Sequence, residues 1–95
     1  MTPEGKVESY LRKAVKANGG KVRKIRWIGR RNAPDDLVDF GFPRVALVEC
    51  KRSADTDPTD AQAREHRLLM ADGWAVYVVG SPEQIEKMIE EVKNG

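Results

Sequence analysis

The chain has 95 residues, of which 40% are hydrophobic and 34% are charged. This length leaves room for one modest core, and the composition is typical of a folded globular protein rather than a disordered chain. No apolar run approaches the roughly 20 residues of a membrane span, and the first residues lack the apolar region of a secretory signal. The single cysteine cannot form an intramolecular disulfide. We therefore expect one domain spanning residues 1–95, in the cytoplasm of a phage or bacterial system, with no membrane partner.

The first half of the sequence predicts one helix followed by three strands. Thr2 and Pro3 are typical of a helix start, apolar residues then recur at helical spacing, and Gly19 and Gly20 end the helix. Strands are predicted over three segments: 21–28, 37–40 and 44–50. The last of these, RVALVEC, is a nearly continuous apolar run, as expected of a central strand covered on both faces.

The second half of the sequence predicts a helix, a strand and a final helix. Pro58 opens the first of these helices and Gly73 ends it, and residues 74–79 form an apolar strand. Ser81 and Gln84 have the spacing of a capping box at the start of the last helix. The order αβββαβα predicts an α/β fold, with a mixed β-sheet flanked by helices.

Positive charge is concentrated near the N-terminus. Residues 1–34 hold ten Lys and Arg against two acids, whereas residues 35–95 hold seven against thirteen. Six of the basic residues lie between positions 21 and 31, with no acid among them. Such a cluster attracts a polyphosphate backbone, although a solvated strand and loop that keeps the protein soluble is the alternative explanation.

Two carboxylates and a lysine are candidates for a metal-dependent site. Glu49 and Lys51 are two apart in a predicted strand, so their side chains point to the same face where the strand leaves the core. A turn between this strand and the preceding one would bring Asp35 near Glu49. Paired carboxylates bind Mg²⁺ or Mn²⁺, and a lysine beside them can orient or deprotonate a water. An ordinary surface ion pair is the alternative for Glu49 and Lys51.

The Pro-Asp pair at 34–35 and the Glu-Cys-Lys triplet at 49–51 together resemble the PD-(D/E)XK nuclease superfamily. Within it, the chain looks like the VRR-NUC branch, the virus-type replication-repair nuclease domain. The resemblance covers almost the whole chain and implies a restriction-endonuclease-like αβββαβ core with a C-terminal helix. Further residues fit the family's order: Glu8, Arg30, Arg31 and Gln62. Asn32 departs from the family, which usually has glycine two residues before the proline.

The resemblance implies a set of metal ligands. Asp35 and Glu49 would bind Mg²⁺ or Mn²⁺, together with the backbone carbonyl of Cys50. That role makes the Cys50 side chain incidental, since its thiol points away from Glu49. Glu8 would be a further carboxylate at the metal or its water shell, although an ordinary helical i,i+4 pair with Arg12 is its alternative role.

The resemblance also implies roles for the residues around the metal. Lys51 would position or activate the attacking water, and Gln62 would hold that lysine or the water. His66 faces the same way as Gln62, but a single histidine is more often an ordinary polar helix residue. Asp36 is expected to point to the other side from Asp35. Basic residues expected to contact the DNA backbone are Arg23, Lys24, Arg26, Arg30, Arg31 and Arg52.

These features predict a metal-dependent endonuclease acting on DNA. No recognition helix or zinc finger is apparent, so we expect selection by DNA shape rather than by base sequence. The family resemblance favours branched DNA, cut in replication or repair by a homodimer that resembles Holliday-junction resolvases. Three alternatives stay open: a flap nuclease, a nicking nuclease, and a DNA-binding module without catalysis. Trp27 and Trp74 are expected in the core or at an interface.

Overall fold

A computed structural model describes residues 1–95 as three helices and one four-stranded sheet. The helices are α1 (Pro3–Ala17), α2 (Asp60–Ala71) and α3 (Pro82–Asn94). The strands are β1 (Lys21–Lys24), β2 (Asp36–Asp39), β3 (Val45–Cys50) and β4 (Val76–Val79). None of these helices has the length and apolar character needed to cross a membrane.

The sheet is mixed, with the strand order β1-β2-β3-β4. β1 pairs antiparallel with β2, and β2 pairs antiparallel with β3, whereas β4 lies parallel to β3. The parallel pair is joined by a crossover through α2. Five of the six residues of β3 are buried. The predicted α/β fold, with its element order and its covered central strand, is confirmed.

Helices cover both faces of the sheet. On one face, α1 and α3 pack over the inward residues of β3, which are Ala46, Val48 and Cys50. The rest of this core is apolar: Leu11, Val15, Val38, Val79, Ile85, Met88, Ile89 and Val92. On the other face α2 packs against β4 and buries its own His66 and Leu69. The two faces differ in character, because only the first carries a continuous apolar core.

α2 begins two residues later than the sequence predicts. Pro58 precedes the helix, and Thr59 is its N-cap, whose hydroxyl accepts a hydrogen bond from the backbone of Gln62 at 3.1 Å. The side chain of Gln62 accepts in return from the backbone N–H of Thr59 at 3.0 Å. This full capping box fixes the helix start, because it satisfies two N–H groups that the helix itself leaves without partners.

The capping box predicted at the start of α3 is only half formed. Ser81 does cap the helix, since its hydroxyl accepts from the backbone of Gln84 at 3.2 Å. The Gln84 side chain, however, accepts from the backbone of Gly80 at 2.7 Å rather than from Ser81. Gly80 is packed so closely against the backbone of Ser53 that a larger residue has no room there.

β1 and β4 are shorter than the sequence predicts. The strand predicted over residues 21–28 ends at Lys24, and the indole of Trp27 instead donates to the carbonyl of Pro34 at 2.7 Å. Trp27 is therefore half-buried and joins the two ends of the loop between β1 and β2. The strand predicted from Trp74 starts at Val76, and Trp74 is 41% exposed in the turn before it.

Candidate functional site

A cavity of about 210 Å³ lies where the ends of the first three strands meet the start of α1. β2 begins at this edge of the sheet, and β1 and β3 end there, since Asp36 pairs with both Lys24 and Val48. Five of the nine lining residues are carboxylates, and only Lys24 is basic. The carboxylates are Glu4, Glu8, Asp35, Asp36 and Glu49. This excess of negative charge favours the binding of a cation.

The sheet divides the polar residues of this edge into two groups. Residues directly opposite each other in paired strands share a face, and neighbours along a strand alternate. Asp36 therefore shares the α1 face with Val48, its partner, whereas Asp35 falls on the α2 face with Glu49. We name Glu8, Lys24, Asp36 and Cys50 the α1-side cluster. We name Asp35, Glu49, Lys51, Gln62 and His66 the α2-side cluster.

Glu49 is the buried carboxylate of the α2-side cluster. Burial, together with the negative charge of Asp35, raises its pKa to about 7, although Lys51 acts in the opposite direction. The side chain is 7% exposed, whereas Asp35 is exposed at the mouth of the cavity. The charge of Glu49 is therefore only partly offset by the protein, and an added cation would stabilise its ionised form.

Lys51 is held in place by the start of α2. Its ammonium group donates to Oε1 of Gln62 at 2.6 Å. The same oxygen accepts from the backbone of Thr59 in the capping box, so the structure that starts the helix also orients the lysine. The lysine itself is buried, and this contact fixes its long side chain on the face that carries Glu49.

His66 also belongs to this face, and the sequence pointed to it only through its spacing of four from Gln62. The residue is 4% exposed, and its Nε2 lies 3.9 Å from Oε1 of Glu49. Burial lowers the pKa of His66, and the positive charge of Lys51 lowers it further. The imidazole is therefore neutral at neutral pH.

The α1-side cluster is joined by its own contacts. The Lys24 ammonium lies 2.5 Å from Oε2 of Glu8 and holds the pKa of that carboxyl below its usual value. Glu8 thus pairs with Lys24 and not with Arg12, the helical partner considered from the sequence. Burial raises the pKa of Asp36 to about 7, and the neighbouring carboxyl of Glu8 adds to this effect.

Cys50 contributes its side chain to the α1-side cluster. Its thiol donates to Oδ2 of Asp36 at 3.8 Å. Burial raises the pKa of this thiol to about 12, so it stays protonated and unreactive at neutral pH. The thiol lies on the opposite face from Glu49, as strand alternation predicts.

The donor set fits a hard divalent cation. Carboxylate oxygens are the ligands that Mg²⁺ and Mn²⁺ prefer, and Asp35 and Glu49 present them on one face. Oδ1 of Asp36 is buried without a hydrogen-bond partner at the same cavity. The carboxylates are spread around the cavity, and no three Asp, Glu, His or Cys side chains are close enough together to surround an ion. An ion bound here would therefore use one or two carboxylates and complete its coordination with backbone oxygen and water.

The six basic residues expected to contact DNA fall into two sets. Three are paired with acids: Arg23, Lys24 and Arg30. Arg30 is tied most firmly, since its Nη1 donates to both carboxylate oxygens of Glu65 in α2, at 3.1 and 2.9 Å. The other three are exposed and form no ion pair: Arg26, Arg31 and Arg52. The second set has its full charge available for a phosphate backbone.

The chain is similar to nucleases of known sequence and structure. No protein-family model matches it. A curated protein of Acyrthosiphon pisum secondary endosymbiont phage 1, named "Putative nuclease p44", is 38% identical over 80 residues, which cover 84% of this chain and 85% of that protein. A solved structure described as "VRR_NUC domain" matches with a TM-score of 0.86 and 41% identity, over 95% of this chain and 97% of its own. The chain belongs to the VRR-NUC family of nucleases.

Proposed function

We propose that this protein is a DNA endonuclease that hydrolyses phosphodiester bonds with Mg²⁺ or Mn²⁺. The observation that carries this proposal is the α2-side cluster, in which the buried Glu49 lies on one face with Asp35 and with a lysine held by Gln62. Membership of a nuclease family supports the reaction class. The cluster supplies both kinds of group that the reaction needs, which are metal ligands and a fixed cation.

The proposed roles follow from the positions of the side chains. Asp35 and Glu49 would hold the ion together with the backbone carbonyl of Cys50, and Glu8 would reach it from α1 only after release from Lys24. Such an ion, when bound, supplies an activated water and offsets charge on the phosphate. The ammonium group of Lys51 would orient the attacking water or stabilise the charge that develops on the phosphate oxygens.

The proposed DNA path lies on the exposed basic residues. Arg26 and Arg31 lie on or beside the loop that leads into Asp35, and Arg52 directly follows Lys51. A backbone held on both sides of the cavity would place a phosphate at the carboxylates. Contacts from these arginines to phosphates would carry no sequence information, so we propose that the enzyme selects its substrate by shape.

We propose further that the substrate is branched DNA and that the active form is a homodimer. A two-fold dimer places two sites on a four-way junction, which has matching symmetry. Phe42 is 88% exposed, and it lines one groove with Trp74 at the edge of the sheet opposite the cavity. Exposed aromatic side chains of this kind support self-association, because they are enriched at protein interfaces.

The experiment is a cleavage assay on a labelled four-way junction, with linear duplex and flap controls. Each substrate is incubated with Mg²⁺ or Mn²⁺ and then with chelator, and Asp35→Ala runs beside the wild type. Paired symmetric cuts in the junction alone, lost in chelator and in the variant, are the expected result. Cutting of every substrate would leave a nuclease without junction selectivity. Tight binding without any cutting would instead identify a DNA-binding module.

A further inference from the structure

The buried side chain of His66 has an unused hydrogen-bonding atom. Only two buried side-chain polar atoms in the chain lack a partner, and Nε2 of His66 is one of them. Leaving such an atom without a partner is destabilising, because the atom loses its hydrogen bonds to water and gains none in the protein. The His66 side chain is 6% exposed, and the polar group that Nε2 faces is the carboxylate of Glu49 at 3.9 Å. That separation exceeds a hydrogen bond by roughly 1 Å, a gap that a rotation of the carboxylate can close.

We propose that His66 is a positioning residue for Glu49. When a divalent ion is bound, the Nε2–H of His66 donates to Oε1 of Glu49 and leaves the other carboxylate oxygen to the ion. This inference rests on the proposed function, since it assigns a partner to one of the proposed ligands. Ligating carboxylates are themselves commonly hydrogen-bonded, and loss of such a partner typically weakens metal binding by about 10–100-fold.

The position of His66 on α2 supports this role. His66 follows Gln62 by one helical turn, so the two side chains point to the same face of α2. Gln62 holds Lys51, and His66 faces Glu49, two residues earlier on the same strand end. One helix therefore faces two of the three charged groups of the α2-side cluster, Glu49 and Lys51, with neutral side chains. The loop before β2 carries Asp35, which is exposed and has no hydrogen bond to α2.

Three substitutions separate positioning from packing. His66→Leu removes the hydrogen-bond donor Nε2–H and fills its space with an apolar side chain. His66→Gln places an amide N–H where Nε2 lies, and His66→Asn carries its amide at the shorter reach of Nδ1. The readouts are Mn²⁺ affinity by calorimetry and the thermal midpoint in chelator. DNA cleavage is then measured as a function of Mn²⁺ concentration.

We expect His66→Leu to weaken Mn²⁺ binding about 10–100-fold. Its thermal midpoint in chelator should equal or exceed that of the wild type, because an unpaired buried polar group has been removed. His66→Gln should bind Mn²⁺ within about threefold of the wild type, whereas His66→Asn should resemble His66→Leu. Cleavage by the Leu variant should need more Mn²⁺ but recover at saturation.

Two results would overturn the inference. The first is equal Mn²⁺ affinity in the wild type and His66→Leu, and the second is a His66→Gln variant as weak as His66→Leu. If the Leu variant does not fold, the comparison of Gln with Asn carries the test, and equal affinities of those two would overturn it. A wild-type protein that binds no Mn²⁺ would instead reject the proposed metal site, and this inference with it.

Discussion

The two clusters at the edge of the sheet contain similar groups, but the hydrogen bonds and ion pairs of these groups differ. On the α1 side, Lys24 is in direct contact with Glu8, and the Cys50 thiol donates to Asp36. On the α2 side, Lys51 is held by the neutral side chain of Gln62 and Glu49 has no ion pair with a lysine or arginine. In the α1-side cluster the charged groups Lys24 and Glu8 pair with each other. In the α2-side cluster neither Glu49 nor Lys51 forms an ion pair with a charged side chain.

This difference in pairing is the reason we propose the α2-side cluster as the reactive one. Both clusters border the same cavity, and both contain a carboxylate whose pKa is raised to about 7 by burial. Burial alone therefore does not distinguish the two clusters. The α2 side differs because Lys51 is held by the uncharged side chain of Gln62. The positive charge of Lys51 is therefore not neutralised by an ion pair with Glu49.

The largest effect is expected from Glu49→Gln, which removes the central carboxylate of the α2 side. Loss of a metal ligand should lower Mn²⁺ affinity and DNA cleavage by at least about 100-fold. The variant should be no less stable than the wild type in chelator at pH 8, because a buried charge has been removed. Calorimetry with Mn²⁺ and a cleavage assay measure the first effect, and a thermal melt measures the second. Undiminished Mn²⁺ binding would remove Glu49 from the site.

The two lysines provide the next comparison. Lys51→Met should lower kcat by about 10²–10⁴-fold and leave Mn²⁺ binding in place, because the lysine acts on the water or the phosphate. Lys24→Met is the matched control on the α1 side. It should lower stability, since Glu8 and Asp36 lose their counter-charge, with a much smaller effect on kcat. Equal losses of kcat in the two variants would contradict the distinction between the clusters.

Asp36→Asn tests the α1 side through pH. Burial raises the pKa of Asp36 from 3.8 to about 7, so the folded chain holds a proton that the unfolded chain releases. The contribution of this group to stability is fully present below pH 3.8 and is lost as pH rises toward about 7. In chelator, the variant should therefore raise the thermal midpoint more at pH 8 than at pH 5. Equal shifts at both pH values would show that the Asp36 pKa is not raised.

The smallest effects are expected at the loop arginines. Arg31→Ala should lower DNA affinity modestly and reduce the slope of log affinity against log salt by about 1, because its charge is free for a phosphate. Arg30→Ala should change that slope less, since Glu65 already holds its guanidinium. Binding titrations of catalytically inactive protein over a range of salt concentrations measure both. A larger slope change at Arg30 would show that DNA displaces Glu65.

Local sequence patterns predicted most of the fold. The element order, the mixed sheet and the caps Thr2 and Ser81 follow from periodicity and from residue types at helix starts. The element ends were less predictable. Trp27 has a strand-forming side chain, but its indole reaches a carbonyl seven residues away and draws the chain out of the sheet. No local pattern encodes that contact.

The placement of side chains at the candidate site could be predicted where it depends on strand alternation. It could not be predicted where it depends on packing between helices and strands. The spacing of Glu49 and Lys51 placed both on one face, and the turn between strands placed Asp35 with them. The pairing of Lys24 with Glu8 joins residues 16 apart on different elements. The approach of His66 to Glu49 likewise depends on how α2 docks on the sheet.

The most direct test of the account compares two neighbouring aspartates that lie on opposite faces of the sheet. Junction cleavage is measured at saturating Mn²⁺ with the wild type, Asp35→Asn and Asp36→Asn, each shown to be folded. We predict that Asp35→Asn loses cleavage by at least about 100-fold, while Asp36→Asn stays within a few-fold of the wild type. Loss of cleavage in Asp36→Asn with Asp35→Asn still active would place the reaction on the α1 side and contradict the account.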